Sequence, residues 1–417
     1  MKNLRNILVT AFATALIVLI HSCASNADDY LKFTEGGAIS YTGKIDSLKI
    51  FSGRDRIKIE GLIISDPKVS QLRVYWNAKK DSVVIPINRT SGIDEVSSVI
   101  ESLPENIYNF DVKTFDAKGN GSVSQYITAQ TYGTRYQASL TDRKIVSSSL
   151  SSDLSLTINF ASMDLTTGAF ATEIVYTDGS NLEHTVTVPV DQTQLVIPNY
   201  KIGTQFSQRS LFLPTLTAID TFYTEFVSKY PQVIDLSYMI KNNTRPFLTS
   251  STDGGRWGIL ADWTTNAACK NHNGYGGWDG GCCGNPPGTI NLESGWGAPN
   301  ITNGKIYQTV TLEPGTYVFK TDLLAGGSGL NSGWSTSDYV YITATSGTSL
   351  ADSEGGALET NAATLGFKKI VNTMSPDAAE FTFVVNQTQQ VSLGISLTQG
   401  QERYGHFLSV RLYKKNN

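Results

Sequence analysis

Short runs in which apolar and polar residues alternate recur along almost the whole chain. Arg56-Ile57-Lys58-Ile59-Glu60 and Leu72-Arg73-Val74-Tyr75-Trp76 alternate early, Leu154, Leu156, Ile158 and Phe160 do so in the middle, and Lys305 to Leu312 and Phe407 to Tyr413 do so late. A period of two puts successive side chains on opposite faces of a half-buried strand. Turn residues cut the runs at Asp66-Pro67, Ser91-Gly92, Thr177-Asp178-Gly179 and Glu313-Pro314-Gly315, which is how antiparallel strands are joined. The pattern predicts an all-β protein. One segment departs from it: Ile219, Phe222, Tyr223, Phe226, Val227 and Tyr230 recur at three- and four-residue steps, the spacing of a helix, while the threonines and Pro214 favour extended chain. Both readings stay open there, with extended structure favoured.

The N-terminus follows another pattern. Lys2 and Arg5 precede an apolar stretch from Ile7 to Ile20, and Ser22 and Cys23 follow it. This is the layout of a secretory signal, with an apolar core too short to span a bilayer comfortably. Ile20-His21-Ser22-Cys23 resembles a lipobox, although His21 stands where a small residue is usual. The resemblance implies that residues 1–22 are removed and that Cys23 carries the lipid; ordinary cleavage just beyond is the alternative. Several acyl chains on one cysteine would anchor the protein stably. Residues 23–29 form a polar tether ending in Asp28-Asp29. That acidic pair resembles the signal that sends Bacteroidetes lipoproteins to the outer face of the outer membrane, and a solvated linker is the alternative.

A chain of 417 residues can hold two or three separate cores. Its net charge of -4, with no basic cluster, excludes nucleic acid as a partner. Residues 30–132 read as a first domain. Within it Leu103-Pro104-Glu105-Asn106-Ile107-Tyr108-Asn109-Phe110 resembles the tyrosine corner of fibronectin type III and immunoglobulin-like sandwiches, and Trp76 is expected in the core. Residues 133–241 read as a fainter second copy. Residues 242–417 differ in composition: they hold Trp257, Trp263, Trp278, Trp296 and Trp334 and all three cysteines after Cys23. Closely spaced strands over this length suggest a jelly roll. The expected fold is two fibronectin type III/immunoglobulin-like sandwiches followed by a galactose-binding-like jelly-roll β-sandwich.

The string Gln308-Thr-Val-Thr-Leu-Glu-Pro-Gly-Thr-Tyr317-Val-Phe319 resembles the strand-turn-strand of galactose-binding-like jelly rolls, the fold of many carbohydrate-binding modules. The whole plan of lipoprotein signal, tandem fibronectin-like domains and distal jelly roll resembles the surface glycan-binding lipoproteins of Bacteroidetes polysaccharide-utilisation systems. That resemblance implies capture of an oligosaccharide or polysaccharide at the cell surface, with the first two domains as a spacer and a porin-like glycan transporter as a partner. It implies no chemistry and no cofactor.

Sugars offer flat patches of C–H ringed by hydroxyls, so their sites combine exposed aromatic planes with short amides and carboxylates. The glycine-rich stretch from Cys269 to Asn285 supplies such groups in Asn271, Asn273, Tyr275, Trp278 and Asp279, with too few aliphatic residues to bury them. Tyr275 and Trp278 are therefore expected to face a ligand. Trp296 and Trp334 sit among turn residues and read equally as ligand platforms or loop anchors; Trp263 reads as core. Asp262, Asp338 and Glu293 could bind sugar hydroxyls or a structural calcium, though no regular acidic spacing occurs. In an exported protein the odd set Cys269, Cys282 and Cys283 suggests a disulfide from Cys269 to Cys282 or Cys283. Such a bridge would close the glycine-rich loop for about 3 kcal/mol and leave one thiol free. Zinc on Cys269, His272 and the adjacent cysteines fits tetrahedral ligation poorly.

Only His184, His272 and His406 follow the signal, and no nucleophile elbow or metal-ligand histidine pair occurs. No enzyme is expected. A glycosidase would need two opposed carboxylates, Asp279 with Glu293 or Asp262 being the first to test. The other alternative is a structural or adhesive surface lipoprotein that binds a protein partner.

Overall fold

The computed structural model describes residues 40–326 and 329–416. The expected signal (1–22), Cys23 and the tether (23–29) lie outside the described residues. Among those described, no helix is long and apolar enough to cross a membrane. The chain divides into two compact units: the first runs to Leu140 and includes Leu213–Phe222, and the second comprises Thr141–Phe212 and the residues from Tyr223 onward.

The first unit contains β1 (Asp46–Ser52), β2 (Ile57–Ile63), β3 (Val69–Trp76), β4 (Asp81–Pro86), β5 (Asp94–Ile100), β6 (Ile107–Asp116) and β7 (Gln125–Gln130). They form an antiparallel sheet β1-β2-β5 facing a second, β4-β3-β6-β7. Three strands on four in this order is the fibronectin type III arrangement. Alternation drives it: Ile57, Ile59, Leu72 and Val74 are fully buried while their sequence neighbours are more exposed, and Phe110 and Val112 of β6 are fully buried with them. Trp76 packs edge-on against Phe110 at 6.2 Å between ring centres. The Tyr108 hydroxyl donates to the carbonyl of Pro104 at 2.8 Å, so the tyrosine corner is present. After β7 comes α1 (Thr134–Ser139), whose first backbone N–H groups are capped by the Glu105 carboxylate. Asp220 holds the Arg56 guanidinium through both oxygens, at 2.9 and 2.6 Å, and accepts from the Arg54 N–H.

The second unit begins with β8 (Ile145–Leu150), β9 (Leu156–Phe160), β10 (Ala169–Thr177), β11 (Glu183–Pro189), β12 (Gln194–Ile197) and β13 (Phe206–Phe212). Sheets β8-β9-β12 and β11-β10-β13 repeat the fibronectin-like plan. The segment with helical spacing is extended: β14 (Phe222–Tyr223) and β15 (Val227–Lys229) lie within it, and β15 hydrogen-bonds along β13 from Phe206 to Gln208. Ladder bonds with a neighbouring strand outweigh the apolar spacing there.

Then β16 (Val233–Asp235) pairs in parallel with β8 and antiparallel with the last strand, so one sheet continues from the second sandwich into the jelly roll. A single hydrophobic core follows it. The jelly roll comprises β17 (Thr249–Thr252), β18 (Trp257–Leu260), β19 (Thr264–Thr265), β20 (Gly277–Asp279), β21 (Thr289–Asn291), β22 (Ile301–Leu312), β23 (Gly315–Leu323), β24 (Ala325–Gly326), β25 (Gly329–Leu330) and β26 (Tyr339–Ser346). After the short α2 (Ala357–Thr360) it ends with β27 (Thr364–Lys369), β28 (Glu380–Val385), β29 (Gln389–Gln399) and β30 (His406–Lys415). One face is β19-β22-β29-β26-β27; the other carries β17, β18, β20, β21, β30, β23 and β28. Ile306, Leu393 and Ile395 from the first and Tyr317, Phe319 and Leu412 from the second are buried in the same core. The strands β18, β20 and β21 are only three or four residues long, so most of residues 253–300 is loop.

The tyrosine corner gives a direct test. Tyr108→Phe keeps the ring but removes the hydroxyl bond, and the urea transition of the first sandwich should fall by about 1 kcal/mol; an unchanged transition would show that the bond contributes nothing.

Candidate functional site

The loops around β18, β20 and β21 meet over one arginine. Arg256, immediately before β18, donates through Nε and Nη2 to the two oxygens of Asp279, at 3.0 and 2.8 Å, and through Nη1 and Nη2 to those of Glu293, at 3.2 and 2.8 Å. Asp279 is wholly buried and accepts further from Asn291 Nδ2 at 2.7 Å and the Gly281 N–H at 2.8 Å. Burial pushes its carboxyl up, but these hydrogen bonds and the Arg256 charge outweigh burial and hold it below the usual carboxylate range. The guanidinium also lies 4.2 Å from the centre of the Trp257 ring, on which His272 stacks at 3.8 Å. Burial lowers the His272 pKa, favouring the neutral ring.

Arg256 and Glu293 form one part of the wall of an open cleft of about 440 Å³. Trp296, Tyr404 and the Cys282–Cys283 pair add its less polar surface, and Asn285 and Asn331 add amides. The amides and the phenol form a chain: Tyr404 donates its hydroxyl to Asn331 Oδ1 at 3.1 Å, and Asn331 Nδ2 donates to Asn285 Oδ1 at 3.0 Å.

Tight turns set these groups at the rim. Gly295 and Ala298 exchange backbone hydrogen bonds of 3.0 and 2.9 Å around Trp296 and Gly297, whose φ values of 51° and 101° mark a two-residue hairpin turn of the I′ kind. Glycine suits its half of that turn; tryptophan does not, and its left-handed backbone costs about 1 kcal/mol. Trp296 is 64% exposed. Cys283 and Gly284 form a similar turn, with φ of 59° and 85° and a 2.8 Å bond from the Asn285 N–H to the Cys282 carbonyl.

Of the residues expected from the sequence to contact a ligand, Trp296 and Glu293 line the cleft, whereas Asn271, Asn273, Tyr275, Trp278, Asp279 and Trp334 do not. Trp278 is half-buried in β20, paired on both sides, packed on the core, and donates its indole N–H to the Phe247 carbonyl at 2.7 Å. Tyr275 is half-buried and Asn273 exposed around a turn in which His272 and Tyr275 exchange hydrogen bonds. Asn271 ties the carbonyls of Glu293 and Pro299. Asp279 is the buried brace of Arg256. Trp334, read as either platform or anchor, is an anchor and not a ligand residue: it is fully buried, donates its indole N–H to Gln399 Oε1 at 2.7 Å, and lies so close to Gly405 that a Cβ there would come within 2.2 Å of the ring. Trp263 is core, as its position suggested.

The expected bridge from Cys269 is also corrected. The disulfide joins the neighbours Cys282 and Cys283, and Cys269 is a buried free thiol in the core, which burial pushes up to about 12. Cys269 ends a short helical turn, Ala267–Cys269, whose capping Asn266 side chain accepts the Cys269 N–H, and its thiol is buried in the core and not in the loop it was expected to close. Among the described residues no three His, Cys, Asp or Glu side chains converge on a metal-sized site. Asp338 instead pairs with Arg403 at 2.9 Å, and Asp262 is exposed. Arg256, Tyr404 and Asn331 carried no sequence signal, and Asn285 only closed the glycine-rich stretch, because the four join the cleft from separate stretches of chain.

Residues 23–222 match a family model described as a domain of unknown function, DUF4998, and residues 241–394 match another, DUF5013. No curated protein matches the chain. Among solved structures the chain is similar to a two fibronectin type-III domain segment from chicken tenascin, at 13% identity over 45% of this chain and 98% of that one, with a TM-score of 0.20. It is also similar to the FN1–FN3 domains of chicken CNTN1, at 14% identity over 46% of this chain and 67% of that one, with a TM-score of 0.28. The sandwich assignment rests on strand order and pairing.

Thiol chemistry tests the corrected cysteine arrangement. In the chain from Ala24 onward a thiol reagent should label nothing while the protein is folded, then one cysteine on unfolding and the remaining two only after reduction. A tryptic peptide linking Cys269 to Cys282 or Cys283 would contradict it.

Proposed function

We propose that this protein is a non-catalytic, lipid-anchored outer-membrane protein that binds an oligosaccharide or polysaccharide at the cell surface, through the cleft of its jelly roll. One observation carries the reading: a tryptophan is held in strained backbone at a hairpin tip, its indole open to water, beside a cleft of amides, a phenol and a carboxylate. Burying that ring elsewhere would be easier, and strain kept at an exposed position fits a binding role. The indole gives a face for sugar C–H groups, and Asn285, Asn331, Tyr404 and Glu293 give partners for hydroxyls.

The same geometry supports binding over hydrolysis. A glycosidase needs two carboxylates facing each other across the bond to be cut. Here Asp279 and Glu293 are held by one guanidinium, and Asp279 is sealed beneath it. Acylation of Cys23 would put the protein on the membrane, the two fibronectin-like sandwiches would act as the spacer, and a porin-like transporter would be the partner that takes the glycan onward.

Trp296→Gly separates binding from folding. Glycine relieves the left-handed backbone, so the melting temperature should hold or rise, while affinity in a glycan-array or titration experiment should fall roughly tenfold or more, equivalent to about 1.4 kcal/mol. Full affinity in this variant would remove the cleft as the binding site.

A further inference from the structure

The charge arrangement of the cleft narrows the class of ligand, on the premise that it binds glycans. Arg256 is the basic side chain of the lining, and its guanidinium is already committed. Of its five N–H groups, Nε and Nη2 serve Asp279, and Nη1 and Nη2 serve Glu293. No parallel pair of donors remains for the forked grip by which arginine takes a carboxylate or sulfate. The brace as a whole is one cation against two carboxylates. Glu293, with 12% of its side chain exposed, adds an acceptor-only group to the wall. The remaining polar groups, Asn285, Asn331 and Tyr404, are uncharged. A hydroxyl can donate to Glu293 at little cost, whereas an anion placed there meets a fixed like charge in a partly dry cleft.

We propose that the cleft selects uncharged saccharides and rejects uronates and sulfate esters, with Glu293 as the residue that discriminates. Arg256 positions Glu293 and does not itself recognise the ligand. The disulfide and Trp296 complete a site whose apolar surface suits the C–H faces of neutral sugars.

Affinity electrophoresis of the chain from Ala24 onward tests this with galactan, arabinan, mannan, xyloglucan, mixed-linkage β-glucan and starch, each run beside its own sulfated derivative, and with polygalacturonate and heparin. A neutral polymer that binds should lose about tenfold in affinity on sulfation. Glu293→Gln should narrow that gap by at least about threefold, because the fixed negative charge is gone while the shape remains. Tighter binding of a sulfated derivative, polygalacturonate or heparin would overturn the neutral preference while leaving the glycan reading standing. A gap that Glu293→Gln leaves unchanged would assign the discrimination to bulk and overturn the role of Glu293. No retardation by any polymer would overturn the glycan reading itself, and the neutral preference with it.

Discussion

The cleft of this protein depends on a single arginine shared by two carboxylates. Arg256 sits at the entry to β18, Asp279 ends β20, and Glu293 follows β21, so one guanidinium ties together three short strands that have little core of their own. Strands of three or four residues bury few side chains, and an isolated set of them would be marginal. A buried carboxylate without its cation would be costly; with Arg256, Asn291 and the Gly281 N–H in place, it becomes the fixed point around which the loops are arranged.

Everything at the rim follows from that fixed point. Glu293 is oriented by the guanidinium, and the hairpin that lifts Trp296 begins two residues later. On the other side, Asp279 accepts from the Gly281 N–H, and the next residues are Cys282 and Cys283, whose disulfide and turn close the wall. The apolar and polar surfaces of the cleft are thus held by a common anchor. A site organised in this way needs little reordering when a ligand arrives, which lowers the entropic cost of binding.

The fold was largely legible in the sequence because strand alternation and turn chemistry are local signals. Ile57, Ile59, Leu72 and Val74 announced the first sandwich, and Leu103-Pro104 with Tyr108 announced its corner. The site was legible only in its region. Glycine density marked the stretch from Cys269 to Asn285, most of which is loop around the three-residue β20, but which aromatic residue faces out depends on strand pairing that no local pattern reports. Trp278 is held inward by partners on both sides of β20, and Trp334 by a glycine seventy-one positions away, whereas Trp296 is exposed by a two-residue turn. The cysteines misled for a related reason: proximity in sequence suggested a loop staple, yet the helical turn at Asn266–Cys269 sends the first thiol into the core.

The brace can be measured without knowledge of any ligand. A double-mutant cycle between Arg256→Met and Asp279→Leu, read by urea unfolding of the jelly roll, reports the coupling between the two groups. A coupling of about 2 kcal/mol or more is the expected result, since Arg256→Met alone strands the buried Asp279 without its cation, whereas the double change leaves only Glu293, at the cleft wall, without one. Effects that add to within about 0.5 kcal/mol would mean that the two side chains do not act together, and the cleft would have to be organised by something else.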